Sequence, residues 1–568
     1  MKTLKKLMVC MLCLILFASL GLFAVGCNGD DPYCEDCGYS DCNCITIETP
    51  CDDCGEIDCI CTPTPVGTVI ITTASQLSNM TMNGTYRLGA NLILDNWTTP
   101  IGTPNTPFTG TFYAEADSDF VIEYIEMETP YYAGGVYLAG LFGVNAGTIQ
   151  NITIEEVVFE LDSDNNEQSR VTVGSIAAIN NGTITSATVE SASIFVYAQN
   201  GGSRVGGITG RNSGSDAIVS YSIVKEIFIS IESSNDDARS CRGAAGAVGL
   251  LENGATVHRV AVNYVDISAY AFGGGVSVAG LVGHFARGGT VTESFVAEGN
   301  VYATSNGAGT VYAGGLIANL ANEAINVNLA PGYVCANLAD SADEAKTVYF
   351  LIEDVWANVN ATATSDGNIY AGLVARLDSR VGTNDPIPTG EIGVLAEITI
   401  RQAFNFGNST GICIYYETGG INGSRAGGDN FYVGGIVSRM QGAGTANTIE
   451  NVVAFGNVHT LITGSTNVPM VENVPSGDRH AEVAGVGRVE RNAIVGRNQG
   501  GNIVGLWRYE NITVTGNTTR ATPNSDIAID VTETQLQSQN WLENNLSLDF
   551  DIWAFPANSF PVLRWTVA

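Results

Sequence analysis

A short phrase of glycine and aliphatic residues recurs along most of the chain and sets its hydrophobic pattern. Each copy joins a small residue to one or two glycines and then two aliphatic residues, and a polar turn and a second apolar stretch follow. Counted from the glycine nearest the aliphatic pair, the first six copies lie 34, 33, 39, 34 and 35 residues apart. A period of this length predicts a stacked array of repeats. The copies lie at 139–143, 173–177, 205–210, 245–249, 279–283, 313–317, 371–374, 433–437 and 483–487.

The second apolar stretch of each copy has the pattern of a half-buried strand. In the first copy, polar residues separate Ile149, Ile152 and Ile154. One copy cannot bury this apolar side alone, but copies stacked about 4.8 Å apart form a continuous aliphatic interior. The sequence therefore predicts an all-β fold, a right-handed parallel β-helix (β-solenoid). At about 34 residues per coil, the roughly 500 residues of the body correspond to about 14 coils.

Insertions interrupt the repeat at one recurrent point, between the second apolar stretch of one copy and the glycines of the next. In a solenoid such insertions emerge along one side, and this loop side is the predicted binding surface for a glycan or a protein. The alternative is a set of solvated loops without a partner. Asp162, Asp164 and Asp236 can supply oxygen ligands to Ca²⁺, although no segment has the complete EF-hand spacing. The candidate ligand-binding residues are Tyr197, Arg204, Asp236, Asp237, Arg239, Tyr416, Arg425 and Tyr432.

The N-terminus has the layout of an export signal. Lysines precede an apolar stretch at 7–25, and small residues follow it. The four residues at 24–27, Ala-Val-Gly-Cys, resemble the lipobox of bacterial lipoproteins, with Ala where Leu is usual. The resemblance implies a signal peptide at 1–26 and a lipid on Cys27. The lipid would anchor the mature chain outside the cell without spanning the membrane, and the alternative anchor is an uncleaved apolar helix.

A cysteine pattern is duplicated within residues 27–66. The spacing Cys-x2-Cys-x4-Cys-x-Cys occurs twice, 17 residues apart. Four thiols at this spacing can hold Zn²⁺, can form two disulfides in an oxidising compartment, or can remain reduced. Prolines after the second copy favour extended backbone, so the segment is predicted to be a stalk. The disulfide or metal candidates are Cys34, Cys37, Cys42, Cys44, Cys51, Cys54, Cys59 and Cys61.

The acidic balance of the chain restricts its partners. The formal net charge is −33. Three of the five lysines lie in the signal, which leaves 22 basic against 58 acidic residues, or −36. Phosphate binding depends on clustered lysine and arginine, so a nucleic-acid partner is excluded. A neutral or cationic partner fits, and an acidic excess also keeps a protein soluble.

Both ends of the body carry signals for small caps. Thr73 and Gln76 stand at capping-box spacing ahead of a leucine, and Thr532 and Gln535 repeat this arrangement. A short helix is therefore predicted at each end. The predicted divisions of the body are an N-terminal cap with the first coils at 67–130, solenoid repeats at 131–525 and a C-terminal cap at 526–568.

The repeat phrase resembles that of GLUG-motif proteins, which are surface and secreted bacterial proteins. Segments 97–102 and 107–112 resemble the lead into such arrays, and 140–143 and 280–283 have the Gly-Leu-x-Gly form of the motif. The resemblance covers about 67–568 and implies an adhesin-like surface lipoprotein. The chain also ends on aromatic residues, as such proteins do, and the predicted core of the C-terminal cap is Trp541, Trp553 and Trp565.

The sequence gives catalysis little support. The histidines are not arranged as H-E-x-x-H, so the metalloprotease that accompanies related repeats in IgA-cleaving proteins is not present. Glycoside hydrolysis needs two carboxylates across the scissile bond, and no adjacent acidic pair marks a groove. The histidines are predicted to be surface or turn residues, and the widely spaced thiols to be buried. These residues are His258, His284, His459 and His480, and Cys241, Cys335 and Cys413.

The leading hypothesis is a lipid-anchored, adhesin-like β-solenoid that binds a glycan, or a protein on a host or neighbouring cell, through its loop side. No cofactor is predicted, apart from the Ca²⁺ and Zn²⁺ alternatives. A polysaccharide-active β-helix enzyme, lyase or hydrolase, is one competing hypothesis. A structural surface spacer is the other.

Overall fold

The computed structural model describes most of the chain from Gly67 to Thr566, together with two short strands near the N-terminus. The chain divides into two compact units, Met1–Thr68 and Val69–Ala568. Within 67–566, the positions outside the description are 117, 164–169, 199–201, 234–240, 307–308, 322–324, 327–346, 366, 380–390, 393–394, 415–429, 442–446, 464–487, 517–527 and 557–558.

The second unit is an all-β parallel β-helix, which confirms the predicted fold class. Its main strands belong to two long parallel sheets of 23 and 17 strands. Nine successive coils can be followed among the described residues, and each contributes strands at four fixed positions, numbered here as columns 1 to 4 in chain order. Coils 1 to 9 cover 136–163, 170–198, 203–233, 241–271, 276–305, 311–365, 369–414, 430–463 and 488–516.

Columns 1 and 2 form the 17-stranded sheet, and the glycine-aliphatic phrase makes the turn between them. One strand runs through both columns in coils 6 and 7. Column 1 contains Val136–Ala139, Arg170–Gly174, Ser203–Gly206, Cys241–Ala245, Val276–Ala279, Val311–Ala321, Ile369–Asp378, Asn430–Gly434 and Arg488–Asn492. The separate strands of column 2 are Phe142–Asn145, Ala177–Asn180, Thr209–Ser213, Val248–Glu252, Val282–Ala286, Val437–Gln441 and Val495–Gln499.

Columns 3 and 4 belong to the 23-stranded sheet. One strand, Thr347–Ser365, runs through both columns in coil 6. The other strands of column 3 are Thr148–Gln150, Thr183–Thr185, Ile218–Ser220, Ala255–His258, Gly289–Thr292, Leu395–Asn405, Asn447–Ala454 and Asn502–Tyr509. Those of column 4 are Thr153–Ser163, Thr188–Ala198, Ile223–Ser233, Ala261–Ala271, Phe295–Ser305, Ser409–Ile414, Val458–Thr463 and Val514–Gly516.

Equivalent apolar residues lie on one another in the interior. Ile149 pairs with Ile184, which pairs with Val219, and the same row continues through Val257 and Val291. All five side chains are fully buried. Burial of one such side chain contributes about 1.5–3 kcal/mol, so a row of them stabilises the stack. The predicted aliphatic interior is confirmed.

One residue in each of coils 1 to 8 has a left-handed backbone at the corner between columns 3 and 4. Its φ lies between 48° and 54°, although none of the eight is glycine. The bend returns the chain to the interior, so that Ile149 and Ile152 are both buried. We call these the corner residues, and they are Asn151, Ser186, Tyr221, Arg259, Glu293, Asp354, Gln402 and Asn451.

The nine coils followed among the described residues are fewer than the 14 predicted for the whole body, because long insertions and the segment before coil 1 take up chain length. Five insertions leave between column 4 and column 1, as predicted, whereas two leave between columns 2 and 3. The latter two carry Ile325–Asn326 and Glu391–Ile392, which pair antiparallel.

The ninth copy of the phrase, predicted at 483–487, lies outside the described residues. In coil 9 the turn between columns 1 and 2 is made instead by Ala493 and Ile494.

A short helix and several strands precede coil 1. Helix α1, Ala74–Ser78, begins after Thr73, whose hydroxyl accepts a hydrogen bond from the Gln76 amide at 3.2 Å. The Gln76 side chain accepts from the Thr73 amide at 3.1 Å, which completes the predicted capping box. The preceding strands are Val69–Ile71, Thr85–Leu88, Leu92–Leu94, Thr111–Tyr113, Ile122–Met127 and Tyr131–Ala133.

The C-terminal segment at 528–566, here called the clasp, folds against the outside of the coils. Strand Ile529–Val531 pairs with the column 3 strand of coil 9 and covers that edge. Thr532 caps helix α2, as predicted. The three tryptophans pack in the apolar cluster of the clasp, as predicted, and Trp553 is fully buried. The remaining elements are Glu533–Leu536 (α2), Gln539–Leu546 (α3), Trp553–Ala554, Val562–Leu563 and the 3₁₀ turn Arg564–Thr566.

Corner residues hold the clasp on three consecutive coils. The indole nitrogen of Trp553 donates to the carboxylate of Asp354 at 2.7 Å, and that of Trp565 donates to the carbonyl of Glu293 at 3.1 Å. Gln402 donates to a clasp carbonyl at 3.0 Å. The clasp therefore crosses the coils, and one repeat position supplies its attachment in coils 5, 6 and 7.

Candidate functional site

Column 4 of coils 1 to 5 presents an open sheet face. Side chains alternate along its strands between the interior and solvent. In coil 2, Ile194 and Val196 are buried, whereas Phe195 between them is 47% exposed. Aromatic rings are concentrated at such outward positions, and we call this surface the aromatic-acidic face. Its aromatic residues are Phe195, Tyr197, Phe228, Tyr264, Tyr270 and Tyr302.

The same face has a large excess of negative charge. Nine carboxyl groups stand at its outward positions against one ammonium group, that of Lys225. Lys225 lies 2.7 Å from Glu190, so its charge is already paired. The formal charge of the face is 1 − 9 = −8. Its acidic residues are Glu155, Glu156, Glu160, Asp162, Glu190, Glu226, Glu232, Asp266 and Glu298.

One row of the face has small residues in its middle and rings at both ends. Phe195, Ser230, Ser268 and Tyr302 occupy the same outward position in coils 2 to 5, because their strands pair in that register. The two aromatic residues therefore stand three coils apart, about 14 Å at the usual strand spacing. We call these four residues the serine row, and it runs along the stacking direction.

Aromatic and acidic side chains flank the serine row on both sides. Phe228 and Glu232 flank it in coil 3, and Asp266 and Tyr270 flank it in coil 4. The ring of Phe228 also lies 5.8 Å from that of Tyr264. The middle of the row is thus bordered by rings and carboxylates, a combination that can contact both the apolar and the polar parts of a ligand.

The electrostatics of the face favour a cationic group beside Asp266. Burial raises the pKa of the Asp266 carboxyl, and no cationic side chain among the described residues is paired with it. Burial raises the pKa of Tyr264 as well, and the charges of Asp266, Glu298 and Glu226 add to the effect. Because further negative charge is disfavoured here, an added cation would be stabilised.

Beyond coil 5, the serine row no longer carries phenylalanine or tyrosine. The position held by Tyr302 is occupied by threonine or histidine in coils 6 to 9. Next to it, the side-chain amide of Asn408 donates to Asn360 at 2.9 Å, and Asn457 accepts from the Thr513 amide at 2.8 Å. This neutral ladder satisfies its own hydrogen bonds, so the aromatic and acidic character is confined to the first coils.

The structure separates the candidate ligand-binding residues into three groups. Tyr197 lies on the aromatic-acidic face, beside the point where an insertion leaves. Arg204 lies in a strand of column 1, where its charge acts on Glu252. Tyr432 is also in column 1 and is fully buried, so its prediction as a surface loop residue is wrong. Asp236, Asp237, Arg239, Tyr416 and Arg425 lie outside the described residues.

Tyr432 belongs to a seam, where columns 1 and 2 meet on the side away from the aliphatic interior. Tyrosines of column 1 stack in register over coils 6 to 8, and arginines of column 2 do so over coils 7 to 9. Each arginine Nη1 donates to a tyrosine hydroxyl of the preceding coil. The bonds join Arg376 to Tyr312 at 3.1 Å, Arg439 to Tyr370 at 3.1 Å and Arg497 to Tyr432 at 2.8 Å.

The seam also encloses a charged cluster around Glu252. Burial alone would raise the pKa of this carboxyl, but the charges of Arg211, Arg204 and Arg287 outweigh it and lower the pKa to about 2. The Nε atom of Arg211 donates to Glu252 at 2.6 Å. These contacts cross between coils, so the seam residues stabilise the stack. No pattern in the sequence predicted the seam, because its tyrosines and arginines are 64 to 69 residues apart along the chain.

The histidines and thiols do not form a reactive centre in the described residues. His284 is only 4% exposed, which corrects its prediction as a surface or turn residue. It lies in a column 2 strand that is buried on both sides. Cys241 and Cys413 are buried free thiols, as predicted. His480 and Cys335 lie outside the description. Within the described residues there is no group of three or more side chains able to hold a metal ion.

Little of the cysteine-rich segment is described. Cys44–Ile45 pairs antiparallel with Ile60–Cys61, and this register places Cys44 directly opposite Cys61. The two cysteines hold equivalent positions in the two copies of the pattern. In the described part of the chain, no helix combines the length and the apolar character needed to cross a bilayer. The other candidates, Cys27, Cys34, Cys37, Cys42, Cys51, Cys54 and Cys59, lie outside the description.

Comparison with known proteins gives no relative from which a function can be carried over. No family model, curated protein or solved structure matches this chain. The aromatic-acidic face is therefore the feature of the described residues from which a function can be argued.

Proposed function

We propose that the protein is an adhesin-like β-solenoid, and that it binds an extracellular glycan or surface protein through the aromatic-acidic face and its adjoining loops. The exposed and half-buried rings that lie together on one sheet face carry this proposal. Single exposed apolar residues are ordinary on a protein surface, but a contiguous group of them marks an interaction site. Rings can stack on the apolar faces of sugars, and carboxylates accept hydrogen bonds from hydroxyl groups.

The proposal includes a lipid anchor on Cys27 and a location outside the cell. The charged start, the apolar stretch and the small residues before Cys27 support it. With Cys27→Ser, the protein should lose metabolic labelling with fatty acid and stay in the uncleaved form. Unchanged labelling of the Cys27→Ser variant would contradict the anchor.

A binding and turnover assay tests the function. The protein is applied to an array of glycans and extracellular proteins, and the release of reducing sugars is measured on every glycan that it binds. Binding without release is the expected result. Release of reducing sugars would support the enzyme hypothesis instead. If neither binding nor release is detected, the structural-spacer hypothesis remains.

Two variants locate the binding on the face. Phe195→Ala and Tyr302→Ala each remove a ring from the serine row, and each should weaken binding several-fold. Tyr349→Ala is the control, because Tyr349 is 63% exposed on the same sheet but lies outside the face. Equal losses in all three variants would contradict the assignment.

A further inference from the structure

We infer that the aromatic-acidic face takes a polysaccharide of amino sugars whose amino groups are free and protonated, laid along the stacking direction of the coils. This inference rests on the proposed function and narrows the ligand to one class of glycan. It follows from the charge of the face, from the direction of the serine row and from the exclusion of other occupants.

The negative charge of the face favours a cationic ligand. The face carries nine carboxylates, and its single lysine is already paired with Glu190. An anionic polysaccharide would be repelled. An ammonium group beside Asp266 would meet a carboxylate that is paired with no cationic side chain of the described residues. Phe228 is its register partner in the neighbouring strand, and Tyr264 is close enough for the Asp266 charge to act on it. Rings and carboxylates both attract an alkylammonium group, the rings through cation-π interaction.

The direction of the serine row favours an extended ligand chain that lies across the strands. Phe195 and Tyr302 mark the ends of a row that spans four coils. The spacing of about 4.8 Å between coils is close to the length of one pyranose unit in an extended chain, so successive sugars can meet successive coils. The two serines leave room above the sheet between the end rings.

A peptide strand is a poorer occupant than a sugar chain. In coils 1 to 5, each column 4 strand is paired on both sides. A peptide therefore has no open edge to extend at this surface. A cationic peptide could still be attracted by charge alone, and polylysine serves as the comparison.

The charge of the cysteine-rich segment makes it a poor occupant of the face. Segment 27–66 contains ten acidic residues and no lysine or arginine, so the face would repel it. A second copy of the protein would bring an equally negative face. The clasp covers a different part of the sheet, packing on Phe295 and Phe404, each two residues after the corner of its coil.

Binding to bead-immobilised polymers of one backbone tests the inference, measured at a mildly acidic pH at which the amino groups of chitosan are protonated and ordinary carboxyl groups are ionised. The probes are chitosan, its N-acetylated form chitin, and cellulose, with soluble polylysine as competitor. Chitosan should bind at least about tenfold more tightly than chitin or cellulose, and added salt should weaken it. Equal binding of all three polymers would overturn this inference while supporting the proposed function. Binding of none would count against a glycan ligand as well, and polylysine as the tighter ligand would point to a cationic protein.

Charge variants place the effect on the face. The double variant Glu232→Gln, Asp266→Asn should lose about tenfold in chitosan affinity and keep its affinity for cellulose. Glu397→Gln is the matched control, an exposed carboxylate on the same sheet in coil 7. Circular dichroism of each variant checks that the sheet is intact. An unchanged chitosan affinity in the folded double variant would overturn the inference.

Discussion

At the scale of single residues, the second glycine of the repeat phrase sets how closely the coils approach. A Cβ atom on Gly207 would lie 2.1 Å from the carbonyl oxygen of Gly246. On Gly246 or Gly280 it would lie 2.2 Å from the carbonyl oxygen of the next coil. Real Cβ atoms do not approach backbone so closely, so a side chain here would push two coils apart. The glycines at this position therefore serve tight packing between the coils.

Two neighbouring glycines provide a matched test of this packing. A Cβ on Gly280 would meet the Gly315 carbonyl oxygen, whereas a Cβ on Gly315 would have its nearest atom, the Val359 carbonyl oxygen, at 3.6 Å. Neither residue has a left-handed backbone. Gly280→Ala should therefore lower the free energy of unfolding by about 1–3 kcal/mol, while Gly315→Ala should change it by less than about 1 kcal/mol. Chemical denaturation measures both, and equal losses would contradict close coil contact as the cause.

Glu252 gives a second prediction at the residue scale. Removal of its charge by Glu252→Gln leaves Arg211 and Arg287 without their shared carboxylate. Loss of one partner in a buried cluster costs about 3–5 kcal/mol, and a large fall in the unfolding free energy is expected. The folded pKa of about 2 lies below the unfolded value. The contribution is therefore present at neutral pH and is lost as the pH falls toward 2, and denaturation at several pH values checks this.

At the scale of elements, the corner between columns 3 and 4 has a second use. It bends every coil, and in coils 5 to 7 it also holds the clasp through Glu293, Asp354 and Gln402. A left-handed backbone at a non-glycine residue costs about 1–2 kcal/mol. That cost recurs in coils 1 to 8, so the packing of the coils must over-determine the bend.

The attachment of the clasp should depend on pH. Burial raises the pKa of Asp354 to about 6, and the charges of Glu353 and Glu293 add to this, while Trp553 and Arg401 oppose it. The folded pKa lies above the unfolded one, so the contribution is complete below about pH 4 and is lost as the pH rises through about 6. The clasp should be more stable at pH 4.5 than at pH 7.5. Unfolding followed by tryptophan fluorescence measures the difference.

Asp354→Asn is the control for this pH effect. The amide oxygen can still accept the hydrogen bond of the Trp553 indole, but the side chain no longer titrates. The stability of the variant should change much less between pH 4.5 and pH 7.5. A slope equal to that of the unchanged protein would assign the pH dependence to other carboxylates.

The columns could be predicted from the sequence because each coil repeats the same residue type at the same place, as Ile149, Ile184 and Val219 do. The capping boxes could also be predicted, because the two side chains of each box interact within one helical turn. The aromatic-acidic face could not, because Phe195 and Tyr302 are far apart in sequence and only the strand register aligns them. The corner residues could not be predicted from the sequence, because they share a left-handed backbone conformation and not a residue type.

At the scale of the second unit, the outer surface of the 23-stranded sheet differs between its two halves. Coils 1 to 5 leave the aromatic-acidic face open on column 4. Coils 5 to 9 carry their apolar side chains under the clasp, where Phe404 and Trp507 pack against Trp553 and Trp541. The clasp thus separates aromatic residues that stabilise the fold from those available for binding.

Deletion of residues 517–568 should cause self-association. The deletion exposes the aromatic residues beneath the clasp and also the column 3 edge that Ile529–Val531 covers. An exposed apolar patch and an open strand edge are both sites of association. Size-exclusion chromatography with light scattering is expected to show oligomers for the deletion variant only. A monomeric deletion variant would contradict a protective role for the clasp.

The two causes can be separated within the same deletion. Trp356 and Phe404 lie under the clasp, away from the edge, so Trp356→Ser with Phe404→Ser removes much of the patch and leaves the edge open. If the patch drives association, the substituted deletion variant should return largely to the monomer. If the edge drives it through strand pairing, the oligomers should persist and bind a dye specific for cross-β structure. We expect the first outcome, because only three residues of the edge are covered by the clasp strand, whereas the aromatic patch extends over coils 5 to 9.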